Sequence, residues 1–410
     1  MSCICRNRLA LDSIAFRPRV LRDVSQVDPS TRFLGRSLRL PLVLAPVGGL
    51  ELFAAEGGAA AVKAAQQFGV SHMLSSVCEP GLEAVAQAAP EALRIFQLYT
   101  RGDAAWVDAM AERAVAAGYS AFCLTVDTAY YSRRERDLAK RHSRSGAMPE
   151  REFQTRLTWS DVARLKTKFA IPLILKGIAT AEDAQLALEH GVDIIYISNH
   201  GGRQLDHGRG TMDILPEIVA AVGGRVPIII DGGFSRGTDI VKALAAGASL
   251  VGIGRMQCVG LAAGGQAGLT RLLEILEQEI RICLGLLGVN SWAELDHSYL
   301  HPAPAVGGRA PIIIDGGFCR GTDIVKALAA GASLVGIGRM QCIGLAADGQ
   351  AGLVRMLELL EQEVQLCLGL LGVNSWAELD RSFLHPAPPV STGATLGAFP
   401  LLSLEEQSFY

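Results

Sequence analysis

The sequence lacks an excess of either charge. Lys plus Arg (38) nearly balances Asp plus Glu (41), leaving a formal charge of -3 over 410 residues, so bulk attraction to nucleic acid or to an anionic membrane is not expected. It also lacks an apolar run of the roughly 18 residues needed to cross a bilayer, and its first ten residues lack the apolar core of a signal peptide. The nine cysteines are scattered, and the one close pair, Cys3 with Cys5, has no second half to complete a zinc site, so no metal centre is expected. A reducing, cytoplasmic setting is the simpler expectation. The C-terminal Ser408-Phe409-Tyr410 is not the Ser-Lys-Leu peroxisomal address either.

What is present is core material. Half of the residues are hydrophobic and the mean hydropathy is +0.28, which describes a globular chain. Short apolar runs alternate with longer Ala-rich helical stretches from Pro41 to Arg255. The runs are Leu42 to Pro46, His72 to Ser75, Ile95 to Tyr99, Phe122 to Asp127, Leu173 to Lys176, Ile194 to Ser198, Ile228 to Asp231 and Leu250 to Gly254. Each parallel strand needs a crossover helix to return the chain, so the pattern predicts an α/β fold, a closed TIM (β/α)8 barrel. A doubly wound open sheet is the competing fold. It does not explain why polar residues collect after so many successive strands: Gln97 and Tyr99, Thr125 and Asp127, Lys176, His200, Asp231 and Arg255. In a barrel all of these converge at the C-terminal mouth.

The central stretch is Ile194 to Asp206, in which a buried apolar strand runs into Ser198-Asn199-His200-Gly201-Gly202-Arg203. His200 can exchange a proton near neutral pH, and the planar fork of Arg203 suits a carboxylate or phosphate. Taken singly, these residues have plainer readings: a loop histidine, an Asp127–Arg134 surface pair, a strand-end Lys176, glycines in ordinary turns. Their joint placement at strand ends argues against those readings as a set. Glu56, the Arg164 to Lys168 run and Glu277-Gln278-Glu279 read as solvated helix faces, and Leu269 to Leu287 as helix core.

A second feature is a repeat. Residues 223 to 306 recur as 307 to 390 with 13 differences over 84 positions. Each copy would supply the last two strands and helices of a barrel. Strand number and stagger are linked in a closed barrel, so one copy must stay out. The first is expected to close it, because it follows strand six through the ordinary connection Thr211 to Gly224. The expected organisation is therefore residues 1–306 as the barrel, 307–390 as a duplicated extra quarter-barrel segment, and 391–410 as a tail. The spare copy would keep apolar strands with unpaired edges.

Read together, Phe16-Arg17-Pro18-Arg19, Leu44-Ala45-Pro46, Leu74-Ser75-Ser76, Phe96-Gln97-Leu98-Tyr99, Leu124-Thr125-Val126-Asp127, Ser132-Arg133-Arg134-Glu135, Leu175-Lys176-Gly177, Ser198 to Asp206, Asp231-Gly232-Gly233 and Ile253-Gly254-Arg255 resemble the FMN-dependent α-hydroxy acid oxidase and dehydrogenase family, which includes glycolate oxidase and lactate oxidase. The resemblance implies FMN as cofactor and oxidation of a small (S)-2-hydroxy acid to the 2-oxo acid. It implies His200 as the base, held by Asp127, with Tyr99 hydrogen-bonding the substrate and Arg134 and Arg203 gripping its carboxylate. Lys176 would lie beside the flavin N1 and O2 atoms. FMN contacts would come from Pro46, Val47, Gly48, Ser76, Gln97, Thr125, Ser198 and Asp231, with Gly232, Gly233, Gly254 and Arg255 at the phosphate end. Expected partners are the hydroxy acid and oxygen or another electron acceptor. A homo-oligomer is left open.

Departures from the family stand beside these matches. Met1 to Cys5 contains no counterpart of a substrate-binding tyrosine, the stretch Leu138 to Arg156 is short for the family's loop over the site, and Ser235-Arg236 stands where Arg-Arg is usual. Gly48, in place of alanine, is expected to leave extra room near the flavin. The alternatives are a catalytically weak FMN-binding scaffold and another FMN barrel acting on a phosphorylated substrate.

Overall fold

A computed structural model describes residues 2–130, 152–301 and 313–384. The chain divides into two compact units, Met1–Ala303 and Pro304–Tyr410. The expected boundary at 306/307 and the expected tail 391–410 both lie outside the described residues.

In the first unit a hairpin of β1 (Thr31–Phe33) and β2 (Arg36–Leu38) precedes eight parallel strands. These are β3 (Leu42–Leu44), β4 (Ser71–Ser75), β5 (Arg94–Leu98), β6 (Ala121–Thr125), β7 (Leu173–Ile178), β8 (Ile194–Ile197), β9 (Ile228–Ile230) and β10 (Leu250–Ile253). They form a closed barrel in which β10 pairs with β3, Val251 to Ile253 lying against Leu42 to Leu44. The eight apolar runs are all strands, with ends shifted by a residue or two. Both closing strands, β9 and β10, come from the first copy of the repeat.

Side chains alternate across each strand, and the barrel uses this period of two to sort its interior. Phe33 and Leu38 of the hairpin join Val43, Met73, Ile95, Cys123, Ile174, Tyr196 and Ile229 in one apolar cluster inside the barrel. Two residues further along the same strands come Ser75, Gln97, Thr125, Lys176, Ser198 and Asp231, all buried. The outward residues between them, such as Leu74, Phe96, Leu124, Leu175 and Ile197, belong to a second core shared with the helices. The interior is thus apolar below and polar at the C-terminal mouth.

One expected solvated face is not solvated. In helix Arg255–Leu287, Glu277 is buried and pairs with Arg39 at 2.7 Å and with Arg281 at 3.1 Å, as a buried carboxylate requires. Glu279 accepts from Arg236 and from the Gly237 amide, which opens helix Gly237–Ala245. Both acids tie this long helix to its surroundings, which spacing along one helix cannot reveal.

In the second unit β11 (Ile313–Asp315) and β12 (Leu334–Gly336) pair in parallel as a two-stranded sheet, with helix Gly321–Ala329 between them and helix Arg339–Leu371 after β12, in the positions that the repeat dictates. Ile313 is 68% exposed, whereas its counterpart Ile229 is 0% exposed. No membrane-length apolar helix and no cluster of potential metal ligands occurs among the described residues.

The paired substitutions Ile229→Ala and Ile313→Ala test this difference in identical local sequence. The first is expected to cost about 2–5 kcal/mol in urea denaturation of the barrel and the second less than about 0.5 kcal/mol.

Candidate active site

The segment that leaves β8 adopts an unusual backbone. His200, Gly201 and Gly202 have φ of 57°, 65° and 75°, so a histidine occupies the left-handed region at the start of a tight turn. The His200 amide donates to Ser198 Oγ at 3.0 Å. Its Nδ1 lies 3.1 Å from Asp127 Oδ1, and its Nε2 lies 3.3 Å from the Tyr99 hydroxyl. An ionised carboxylate can only accept, so Nδ1 carries the proton and Nε2 keeps its lone pair. Burial alone would raise the Asp127 pKa, but the electrostatic pull and hydrogen bond of the His200 ring, together with the charge of Lys176, outweigh it and hold the carboxyl below its ordinary value. The arrangement is an oriented imidazole base.

One turn deeper, Ser198 Oγ joins three strands. It accepts from Lys176 Nζ at 2.7 Å and donates to Asp231 Oδ1 at 2.7 Å, while Lys176 also lies 3.4 Å from Asp231 Oδ2. Burial pulls the Lys176 pKa down, but the charges of Asp231 and then Asp127 raise it above the ordinary lysine value, so the ammonium persists inside the barrel. Beside it, both amide atoms of Gln97 and the hydroxyl of Thr125 are buried without a hydrogen-bond partner. Such groups are costly in a folded chain unless a ligand pairs them.

Gly177 decides where Asp127 can stand. The register of β7 against β8 shifts between Lys176 and Ile178, and Gly177 takes φ of 113° there. A Cβ on it would lie 2.6 Å from Asp127 Cβ. The missing side chain at this bulge therefore leaves space for the carboxylate behind the imidazole, next to the inward-facing Lys176.

Of the residues expected at the site, His200, Asp127, Tyr99, Lys176, Ser198 and Asp231 form one connected network. Ser76 Oγ accepts from the Tyr99 amide at 3.1 Å, and Arg255 donates to the Gly201 carbonyl at 3.3 Å, which brings strands β4 and β10 to the same rim. The Arg203 amide donates to the His200 carbonyl at 3.3 Å, ending the turn. Arg134 and the stretch from residue 138 to 151 lie outside the described residues. The extra room expected at Gly48 is filled, because a methyl there would come 2.6 Å from Val77 Cγ2. Two glutamines had no assigned role. Gln154 accepts from the Thr100 amide and donates to the Thr125 carbonyl, both at 2.7 Å, linking the loops after β5 and β6. Gln204 donates to the carbonyls of Asp127 and Tyr130 at 3.3 and 2.7 Å, tying the His200 loop to the Asp127 loop. Gln204 belongs to the Ser198 to Asp206 motif of the sequence, whereas nothing in the linear sequence marks Gln154.

Gly177→Ala is expected to displace Asp127 from His200 and to destabilise the barrel by about 1–3 kcal/mol through its positive φ and the clash. Urea denaturation and the resonance of the His200 Nδ1 proton report the two effects.

A family model described as FMN-dependent dehydrogenase matches residues 1–151, 139–302 and 303–386, the last range taking in most of the second copy of the repeat. An L-lactate oxidase of Nostoc sp. is 41% identical over an alignment of 323 residues that covers 72% of this chain and 88% of that protein. A glycolate oxidase of Spinacia oleracea is 37% identical over 321 residues, covering 72% and 87%. Among solved structures, mandelate oxidase with 3,3-difluoro-2-hydroxy-3-phenylpropionic acid aligns with a TM-score of 0.68 at 36% identity, over 73% of this chain and 89% of that one. A mandelate oxidase variant carrying a C4a-OH-FMN adduct aligns with a TM-score of 0.65 at 37% identity, over 71% and 88%. The strand-end network, the family match and these similarities agree, and the chain belongs to the FMN-dependent dehydrogenase family.

Proposed function

We propose that the protein oxidises a small (S)-2-hydroxy acid to the 2-oxo acid, with His200 as the base and FMN as the two-electron acceptor. The observation that carries the reading is the oriented imidazole, Asp127–His200–Tyr99, beside a buried lysine and unpaired donors and acceptors at the mouth of the barrel. A flavin fits this donor set. The Gln97 amide offers both a donor and an acceptor to the alternating carbonyl and N–H groups of the pyrimidine edge, and the Thr125 hydroxyl offers a third partner. Lys176, fixed by Ser198 and Asp231, supplies positive charge where a reduced ring would become anionic. Pro46, Val47, Gly48, Ser76, Ser198, Asp231, Gly232, Gly233, Gly254 and Arg255 complete the assigned contacts, the last four at the phosphate end.

FMN, when bound, supplies the acceptor for the electron pair that leaves the substrate's α-carbon. The chain's own residues do the rest. Arg203, with Arg134, pairs with the substrate carboxylate, and Tyr99 donates to the substrate oxygen. Nε2 of His200 takes the proton of the substrate's α-hydroxyl as the α-hydrogen leaves with the electron pair, and Asp127 stabilises the imidazolium that results. Oxygen or another acceptor then removes the electrons. The scaffold alternative is not favoured, because the whole oriented network for proton transfer is present. Residues 307–390 are assigned no part in the chemistry.

Purified protein is expected to be yellow and to bleach without oxygen on addition of (S)-lactate or glycolate. His200→Ala is expected to stay yellow and bleach about 10²–10⁴-fold more slowly; unaltered bleaching there would remove His200 from its role. Arg255→Ala is expected to weaken FMN binding by about tenfold or more, the loss of one charge-assisted bond, while Arg339→Ala leaves it unchanged. The opposite pattern would assign the phosphate end to the second copy.

A further inference from the structure

Helix Ser2–Asp12 packs against the turn that carries His200, and Asn7 is its innermost polar residue, 1% exposed. Asn7 Nδ2 donates to Asn199 Oδ1 at 2.9 Å, and Asn199 Nδ2 donates back to Asn7 Oδ1 at 2.7 Å. Backbone donors fix both amides in this sense. The Thr211 N–H reaches Asn7 Oδ1 at 3.1 Å, and the Gly202 N–H reaches Asn199 Oδ1 at 3.0 Å, so neither amide can flip without opposing two donors. Asn199 thereby closes the three-residue left-handed run that begins at His200.

The helix is pinned on both sides of this pair. Its Cys3 amide donates to Asp206 Oδ1 at 3.0 Å, and Arg8 forks onto both oxygens of Asp239 at 2.8 Å each. The loop after β9 meets it closely as well. Gly233, with φ of 87°, would place a Cβ 3.0 Å from the Asn7 carbonyl oxygen, so only glycine admits the helix here. One buried asparagine therefore touches the loop bearing the base, the start of helix Thr211–Val222, and the glycine pair assigned to the cofactor.

We propose that Asn7 is a positioning residue for the oxidation: through its reciprocal pair with Asn199 it holds the strained turn that aims His200 Nε2 at Tyr99 and the substrate. The inference rests on the hydroxy acid reading above. Asparagine is required because the side chain must donate and accept at once. Aspartate keeps the oxygen that serves Thr211 but sets two acceptors against each other at Asn199.

The test uses the full FMN-loaded chain in anaerobic single turnover with (S)-lactate. Asn7→Ala is expected to slow bleaching about 10- to 100-fold while FMN affinity and the substrate concentration for half-maximal rate change by less than about threefold, since misplacing a catalytic group costs rate more than binding. Asn7→Asp should fall between the two, and it carries the same comparison if Asn7→Ala does not fold. In a His200→Ala background, Asn7→Ala should slow the residual bleaching no further, because a group acting through His200 has nothing left to position. Equal slowing in both backgrounds would mean general support of the fold, and a wild-type rate in Asn7→Ala would mean no role; either overturns the inference alone. A wild type that binds FMN yet never bleaches with any 2-hydroxy acid takes down the functional reading and this inference with it.

Discussion

The ladder in which Val251, Gly252 and Ile253 pair with Leu42, Val43 and Leu44 turns a row of parallel strands into a cylinder, and the site depends on it. An open sheet would leave the ends of β3 and β10 far apart at opposite edges. Closure brings all eight C-terminal ends round one opening, so residues as distant in sequence as Ser76, Asp127, His200 and Arg255 share a rim. Closure also seals the interior from below with Phe33 and Leu38, and only the top layer of inward side chains is left to face a ligand.

That top layer places charges where water is scarce, and each is compensated. Lys176 is held by Ser198 and Asp231, and Asp127 by His200. Breaking one member of such a set strands its partner, which is why buried networks of this kind either stay intact or cost several kcal/mol. The same Ser198 hydroxyl accepts from Lys176 and from the His200 amide. The group beside the proposed flavin and the proposed base are therefore set by a single side chain. The left-handed turn at His200 is a local strain of the kind that folds retain at working sites, and it is supported from the N-terminal helix through Asn199.

The repeat separates sequence from environment. Gly237–Ala245 and Gly321–Ala329 have identical sequences and both form helices, and the long helices that follow each contain an internal break, at Gly264–Gly265 and at Asp348–Gly349. Local structure is thus inherited with the sequence. Burial is not: Ile229 and Ile230 vanish into the barrel wall, while Ile313 and Ile314 stay exposed. A barrel closed by eight strands offers no ninth position, so the second pair of strands forms a small sheet of its own.

The sequence by itself determined the eight strands, because each is an apolar run bounded by glycine or polar residues, and it determined the polar ends that converge at the mouth. The family motifs added the proposed roles of His200, Asp127, Tyr99 and Lys176. Only the tertiary structure decided which copy closes the barrel, since the two are nearly identical strings. It alone disclosed that Glu277 is buried against Arg39, that Val77 fills the room beside Gly48, and that Asn7 and Gln154 tie the rim loops together. Periodicity along a chain reports which face of an element is apolar. It carries no record of which distant backbone group a buried amide or carboxylate will meet, because that partner is fixed only when the ring of strands has closed.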